Sequence, residues 1–248
     1  MIGSRSLQLR IGLALFIGAT AWPGIGSASA TGLSNSAPSI TVASALTWSL
    51  PLDFRAAPNQ SNPSPDRYGN PKVWSYMQSA SNVHDPATYS LLPNFETNNF
   101  LVSGLEDWFG PNCDTVISND CLPKVGINAT GVIQTPFGIK WPAGAVLVHP
   151  WTKTMAVVGW TSPVTAEVAI RGRVHLAQTP NCGNGVRWNL DKGSRTLAAG
   201  NISQAQPTEQ FATQTFVHVG QTVYLTINSS QGNDQCDSTV ANWMLSTA

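Results

Sequence analysis

The run Glu167-Val168-Ala169-Ile170-Arg171-Gly172-Arg173-Val174-His175-Leu176 alternates without a break. Val168, Ile170, Gly172, Val174 and Leu176 share one face, and Glu167, Ala169, Arg171, Arg173 and His175 share the other. A period of two is a strand with one side buried and one side wet. The same pattern recurs downstream. Val186, Trp188 and Leu190 alternate with Arg187, Asn189 and Asp191, and Lys192-Gly193 then forms a turn. Val223, Leu225 and Ile227 alternate with Thr222, Tyr224 and Thr226, and Ala241, Trp243 and Leu245 mark a last strand. Turn residues fall between these runs at Gly144, Pro163, Gly183, Gly185, Gly193, Gly200, Gly220 and Gly232. Many short strands between Gly/Pro turns specify an all-β fold, an antiparallel β-sandwich of the jelly-roll kind.

The amino-terminal half is less regular. Leu46 to Phe54 reads as the first strand, Asn59 to Pro71 as a proline-rich loop, and Val73 to Met77 as a short strand. No internal repeat or long linker follows, so residues 46–248 read as a single domain.

Arg5 and Arg10 precede the apolar stretch Ile11–Trp22, and small residues lead to Ala28-Ser29-Ala30. That order marks residues 1–30 as a secretory signal peptide. Residues 31–45, rich in Ser, Ala, Thr and Gly, read as a flexible lead-in. The expected product is secreted and extracellular, with no membrane insertion after cleavage.

Only 10% of the 248 residues are charged, and 13 basic residues balance 13 acidic ones. Such a chain lacks the cationic field of a nucleic-acid binder and the polybasic cluster of a membrane-surface protein. A monomer is expected. All four cysteines follow the signal peptide, where two disulfides are expected. Three pairings are open. The short spacing of Cys113 and Cys121 favours that pair, which leaves Cys182 with Cys236.

Three groups of residues carry a resemblance. Asp53-Phe54, Asn62-Pro63 and Val73-Trp74-Ser75-Tyr76 form the first. His149-Pro150 and Ala156 through Pro163, with the strand to Gly172, form the second. Cys182 through Trp188, Asp191-Lys192-Gly193, Asn233-Asp234 and Cys236-Asp237-Ser238-Thr239 form the third. Together they resemble secreted bacterial β-sandwich domains of the carbohydrate-binding-module-like jelly-roll type. The resemblance implies a non-catalytic domain. The chain departs from the pattern at Trp151, where a small residue is expected, and in the Cys113–Cys121 insert.

The chemistry legible in the residues is that of binding. No G-x-S-x-G elbow occurs, and His84, His149, His175 and His218 are scattered. Glu96, Glu106 and Asp107 gather near Trp108, but no two acids stand at a recognisable glycosidase spacing. The expected partner is a glycan or other cell-surface component, because indole and phenol rings stack on the apolar faces of sugars. A structural or adhesive exoprotein is the alternative, and a β-sandwich hydrolase or lyase the less favoured one.

Trp160, Trp188 and Trp243 lie in the inward register and belong to the core. That leaves Trp108 and Trp151 as the first candidate platforms, then Trp74 and Tyr76, with Asp107 placed to bond sugar hydroxyls. No cofactor is expected. Asn233, Asp234, Asp237 and Ser238 offer hard oxygens for a structural calcium, or simply form a solvated turn.

Overall fold

The computed structural model describes residues 45–56, 61–114, 120–178 and 182–247. The signal peptide and residues 31–44 of the lead-in lie outside them. Strand β1 (Thr47–Ser49) is followed by helix α1 (Leu50–Ala56), β2 (Trp74–Gln78), β3 (Ser90–Leu91), β4 (Asn94–Glu96), β5 (Leu105–Asp114) and β6 (Asp120–Asn128). Then come β7 (Val146–His149), β8 (Ala156–Thr161), β9 (Ala166–Leu176), β10 (Val186–Lys192), β11 (Arg195–Ile202), β12 (Thr208–Val217), β13 (Thr222–Ser229) and β14 (Thr239–Thr247). The first sheet runs β12-β9-β14-β7-β6-β5-β4, with β1 also on β14, and the second runs β11-β10-β13-β8-β2-β3. Every strand pairing is antiparallel. The all-β sandwich expected from the alternation is the fold.

The first strand is shorter than Leu46–Phe54. It stops at Ser49, and Leu50–Ala56 turns into a helix. Pro51 has no N–H to give a ladder. The Asp53 carboxylate instead accepts the Ser49 N–H at 3.0 Å and closes the helix start. The registers of β9, β10, β13 and β14 follow the sequence pattern, and Val168, Ile170, Val174, Leu176, Trp188, Leu225 and Trp243 are all buried.

Aromatic rings cross the gap between the sheets. Trp48 meets Trp160 at 5.1 Å between ring centroids, Trp74 meets Trp243 at 5.3 Å, and Trp188 stacks on Phe211 at 5.0 Å. Three of these indole N–H groups donate to carboxylates: Trp48 to Asp66 at 2.8 Å, Trp74 to Asp53 at 3.0 Å and Trp188 to Glu209 at 2.8 Å. Two glycines make room. A Cβ at Gly172 would meet Phe211 at 2.2 Å, and one at Gly200 would meet the Glu209 carboxyl at 2.2 Å.

The first sheet is covered on its other face as well. Phe100, Leu105, Ile139, Trp141, Leu147, Ala177 and Val240 form a second apolar cluster. Its outer members come from the segments before β5 and before β7. Trp141 is fully buried there.

Both disulfides are present, Cys113–Cys121 within the β5–β6 hairpin and Cys182–Cys236 between two late loops. The first closes a separation of 8 residues and the second one of 54. Chain entropy assigns them about 2.5 and about 4 kcal/mol. Replacing Cys182 and Cys236 by Ser should therefore lower the melting temperature more than replacing Cys113 and Cys121, as read by calorimetry. Equal losses would show that loop length does not set the difference.

Candidate functional site

A cavity of about 890 Å³ opens on the outer side of the first sheet. Its floor comes from strand ends: Asn112 and Cys113 on β5, Asp120 and Leu122 on β6, and His149 closing β7. Its walls are loops: Trp151 after β7, Gln178 after β9, and the Asp234–Ser238 segment that leads into β14. Cys113, Cys182 and Cys236 also line it, so both disulfides fasten its walls.

Phe100 and Phe137 form an aromatic corner, their rings 5.5 Å apart. Each sits in a one-turn 3-10 segment at positive φ, 55° for Phe100 and 48° for Phe137. That conformation costs a bulky residue about 1–3 kcal/mol and persists only where the surroundings hold it. Phe100 is buried, whereas Phe137 is 63% exposed.

Behind the floor lies a buried ionic group. The Lys124 ammonium is 2.5 Å from Asp120 Oδ1 and 4.0 Å from the centre of the Phe100 ring. Asp107 is fully buried and accepts from Asn99 Nδ2. Burial raises the Asp107 carboxyl most, the Lys124 charge opposes that, and the Glu96 carboxyl adds to it. Glu96 is likewise raised by burial. His149 is buried, and burial lowers its pKa. Its Nδ1 lies 2.7 Å from the Pro150 carbonyl, so Nδ1–H donates there and Nε2 keeps its lone pair.

Only part of the expected site converges here. Trp151 and Asp234 line the cavity. Trp74 and Tyr76 do not reach the surface, a correction to the sequence reading. Trp74 is 0% exposed between the sheets, and Tyr76 is 1% exposed. Trp108 is no free platform either. It packs on Phe95 at 4.9 Å and against the main core. Trp108 and Tyr76 share a separate crevice of about 20 Å³, room for about one water molecule. Asp107 points to the opposite face from Trp108 and is buried, so it bonds no ligand beside that ring.

The calcium candidates are divided. Asp234 Oδ1 accepts from Thr152 Oγ1 at 3.0 Å, and Asn233 Oδ1 accepts from the Gln235 N–H at 3.1 Å. Both Asp237 carboxylate oxygens and the Ser238 hydroxyl are buried without a partner. Among the described residues, no three His, Cys, Asp or Glu side chains gather to hold a metal.

Asp120, Lys124, Phe100 and Phe137 escaped the sequence reading. One signal was available for two of them: Asp120, Leu122 and Lys124 fall on one face by strand alternation.

No family model matches the chain, and no curated protein does. Solved structures do match. One is CBM51-2 in complex with GlcNAc and INT domains from Clostridium perfringens ZmpB, at 9% identity and a TM-score of 0.34, covering 61% of this chain and 30% of that chain. This chain thus spans under a third of its length. Another is CBM51 from Clostridium perfringens GH95 in complex with methyl-galactose, at 10% identity and a TM-score of 0.31, covering 57% of this chain and 92% of that one. A third is a mutant of CBM29-2 complexed with mannohexaose, at 12% identity and a TM-score of 0.28, covering 70% and 89%.

Burial pushes the Asp237 carboxyl up to about 8, and the neighbouring Asp234 adds to the shift. The folded chain therefore keeps a proton that the unfolded chain releases near 3.8. Stability from this group is full below about pH 4 and is lost as pH rises to about 8. Thermal unfolding should occur at a higher temperature at pH 5 than at pH 8. Asp237→Asn should flatten that slope without abolishing it, because Glu96 and Asp107 are shifted the same way. A slope unchanged in Asp237→Asn would remove the assignment.

Proposed function

We propose that the protein is an extracellular, non-catalytic glycan-binding module whose site is the cavity beside the first sheet. The observation that carries this reading is the cavity's make-up. An open space of about 890 Å³ has Trp151 and the Phe100–Phe137 corner on its walls and polar oxygens on its floor. Its volume is that of small-molecule and sugar-sized sites. Flat rings cover the C–H faces of a pyranose, and fixed acceptors take its hydroxyls. Walls cross-linked by two disulfides lose little freedom on binding, so less of the contact energy is offset by ordering.

Support also comes from where the chain departs from the sandwich pattern it resembles. Trp151 and the Cys113–Cys121 insert both border the cavity. These two departures fall together in space although 30 residues or more separate them in sequence.

The alternative, an adhesive exoprotein, draws on one observation. Leu101, Val132, Ile133 and Phe137 are all exposed in the segments that cover the first sheet. Such apolar surface also suits a protein contact.

The mature protein should be retained on at least one insoluble polysaccharide in a sedimentation assay. Trp151→Ala should abolish that retention while the variant stays folded, losing less stability than a fully buried Trp would, since the ring is half-buried. Trp74→Ala should instead cost about 3–5 kcal/mol as a core truncation. Undiminished retention by folded Trp151→Ala would move the site away from the cavity.

A further inference from the structure

The charge on the lining of the cavity is one-sided: Asp120 and Asp234 line it, and no Lys or Arg does among the described residues. Asn112 Nδ2 donates to the Leu122 carbonyl at 3.3 Å, and Gln178 Nε2 donates to the Phe137 carbonyl at 3.3 Å. Each amide thus commits one of its two N–H groups to the backbone. His149 has its Nδ1–H engaged by Pro150, which leaves Nε2 as an acceptor. Asp120 and Asp234 contribute carboxylates. Ser238, fully buried and on the lining, has a hydroxyl without any partner.

No Lys or Arg stands among the described lining residues. Lys124 is behind the floor, its ammonium held by Asp120 and the Phe100 ring. It neutralises one of the two carboxylates, and Asp234 remains without a cation. The rings complete the pattern, because an aromatic face attracts a cation.

We infer that the cavity selects a glycan bearing free, protonated amino groups, a polymer or oligomer of deacetylated amino sugars. An ammonium brings three donors and a positive charge to a wall with uncompensated negative charge. An N-acetylated sugar brings one amide N–H and no charge. A uronic or sulfated sugar brings negative charge to Asp234 and finds no Lys or Arg on the lining to meet it. The unpartnered Ser238 hydroxyl, both donor and acceptor, is satisfied by an added polar group. This inference rests on the glycan reading of the same cavity and names the class of glycan.

The test is calorimetric titration of the full mature chain, in mildly acidic buffer, with four probes. These are a glucosamine hexamer, an N-acetylglucosamine hexamer, a galacturonate hexamer and tetralysine. The glucosamine hexamer should bind at least about tenfold more tightly than its N-acetylated counterpart, and galacturonate should not bind. Asp234→Asn keeps the shape and an oxygen for Thr152. It should weaken glucosamine binding roughly ten- to hundredfold and leave the melting temperature in place.

Equal binding of the glucosamine and N-acetylglucosamine hexamers, tighter binding of galacturonate, or no effect of Asp234→Asn would overturn the charge selection while leaving a glycan site. Tetralysine binding with no sugar bound, or no binding of any probe together with no retention on polysaccharide, would overturn both readings.

Discussion

The indole rings that cross between the two sheets hold this fold in register. Trp48 on Trp160, Trp74 on Trp243 and Trp188 on Phe211 span the gap at three points along it. Each pair buries large apolar area and tolerates only a narrow range of offsets. Every indole of these pairs also carries a polar N–H into the protein; those of Trp160 and Trp243 are buried without a partner, and those of Trp48, Trp74 and Trp188 find carboxylates. Those carboxylates are Asp66, Asp53 and Glu209. The short helix after β1 exists in that setting, since Asp53 both closes the helix start and accepts from Trp74. Gly200 and Gly172 follow from the same constraint, one admitting the Glu209 carboxyl and the other the Phe211 ring.

With its inner face engaged by the second sheet, the first sheet uses its outer face to build the site. Two crossing segments lay Phe100, Ile139 and Trp141 over β5, β6 and β7 and stop short of the strand ends. The uncovered ends become the floor of the cavity. Lys124 is sealed beneath, and burial of such a charge requires a partner and well-placed contacts. Asp120 and the Phe100 ring provide them. The left-handed turns at Phe100 and Phe137 are the local cost of bringing two rings to that corner. The two disulfides close the rim, so the walls that would face a ligand are the most cross-linked part of the chain.

Much of the fold was legible in the residues. Period-two alternation in β9, β10 and β13 stated which side of each strand carries the apolar core, and those residues are buried, although Asp191 and Thr226 on the expected wet faces are buried as well. The pairing of the cysteines followed from spacing. The inward assignment of Trp160, Trp188 and Trp243 followed from register. The site was less legible. Trp74 and Trp108 lie near Gly/Pro-rich segments and look exposed in one dimension, yet both pack against the core. Trp151 was singled out and does line the cavity. Asp107 was placed beside Trp108 because the two are adjacent in sequence, but neighbours on a strand face opposite ways.

The sequence by itself determined class, strand facing and the cysteine pairing, because alternation is local, Cys113 and Cys121 are near neighbours, and the other two cysteines pair by elimination. The tertiary structure alone decided what covers the outer face of the first sheet. It alone decided which loop rings stay free, and where Asp120, His149, Asp234 and Ser238 come together. Those outcomes depend on segments more than 25 residues apart meeting across one sheet. Residue type does not report whether a loop will fold back over a strand or stand clear of it.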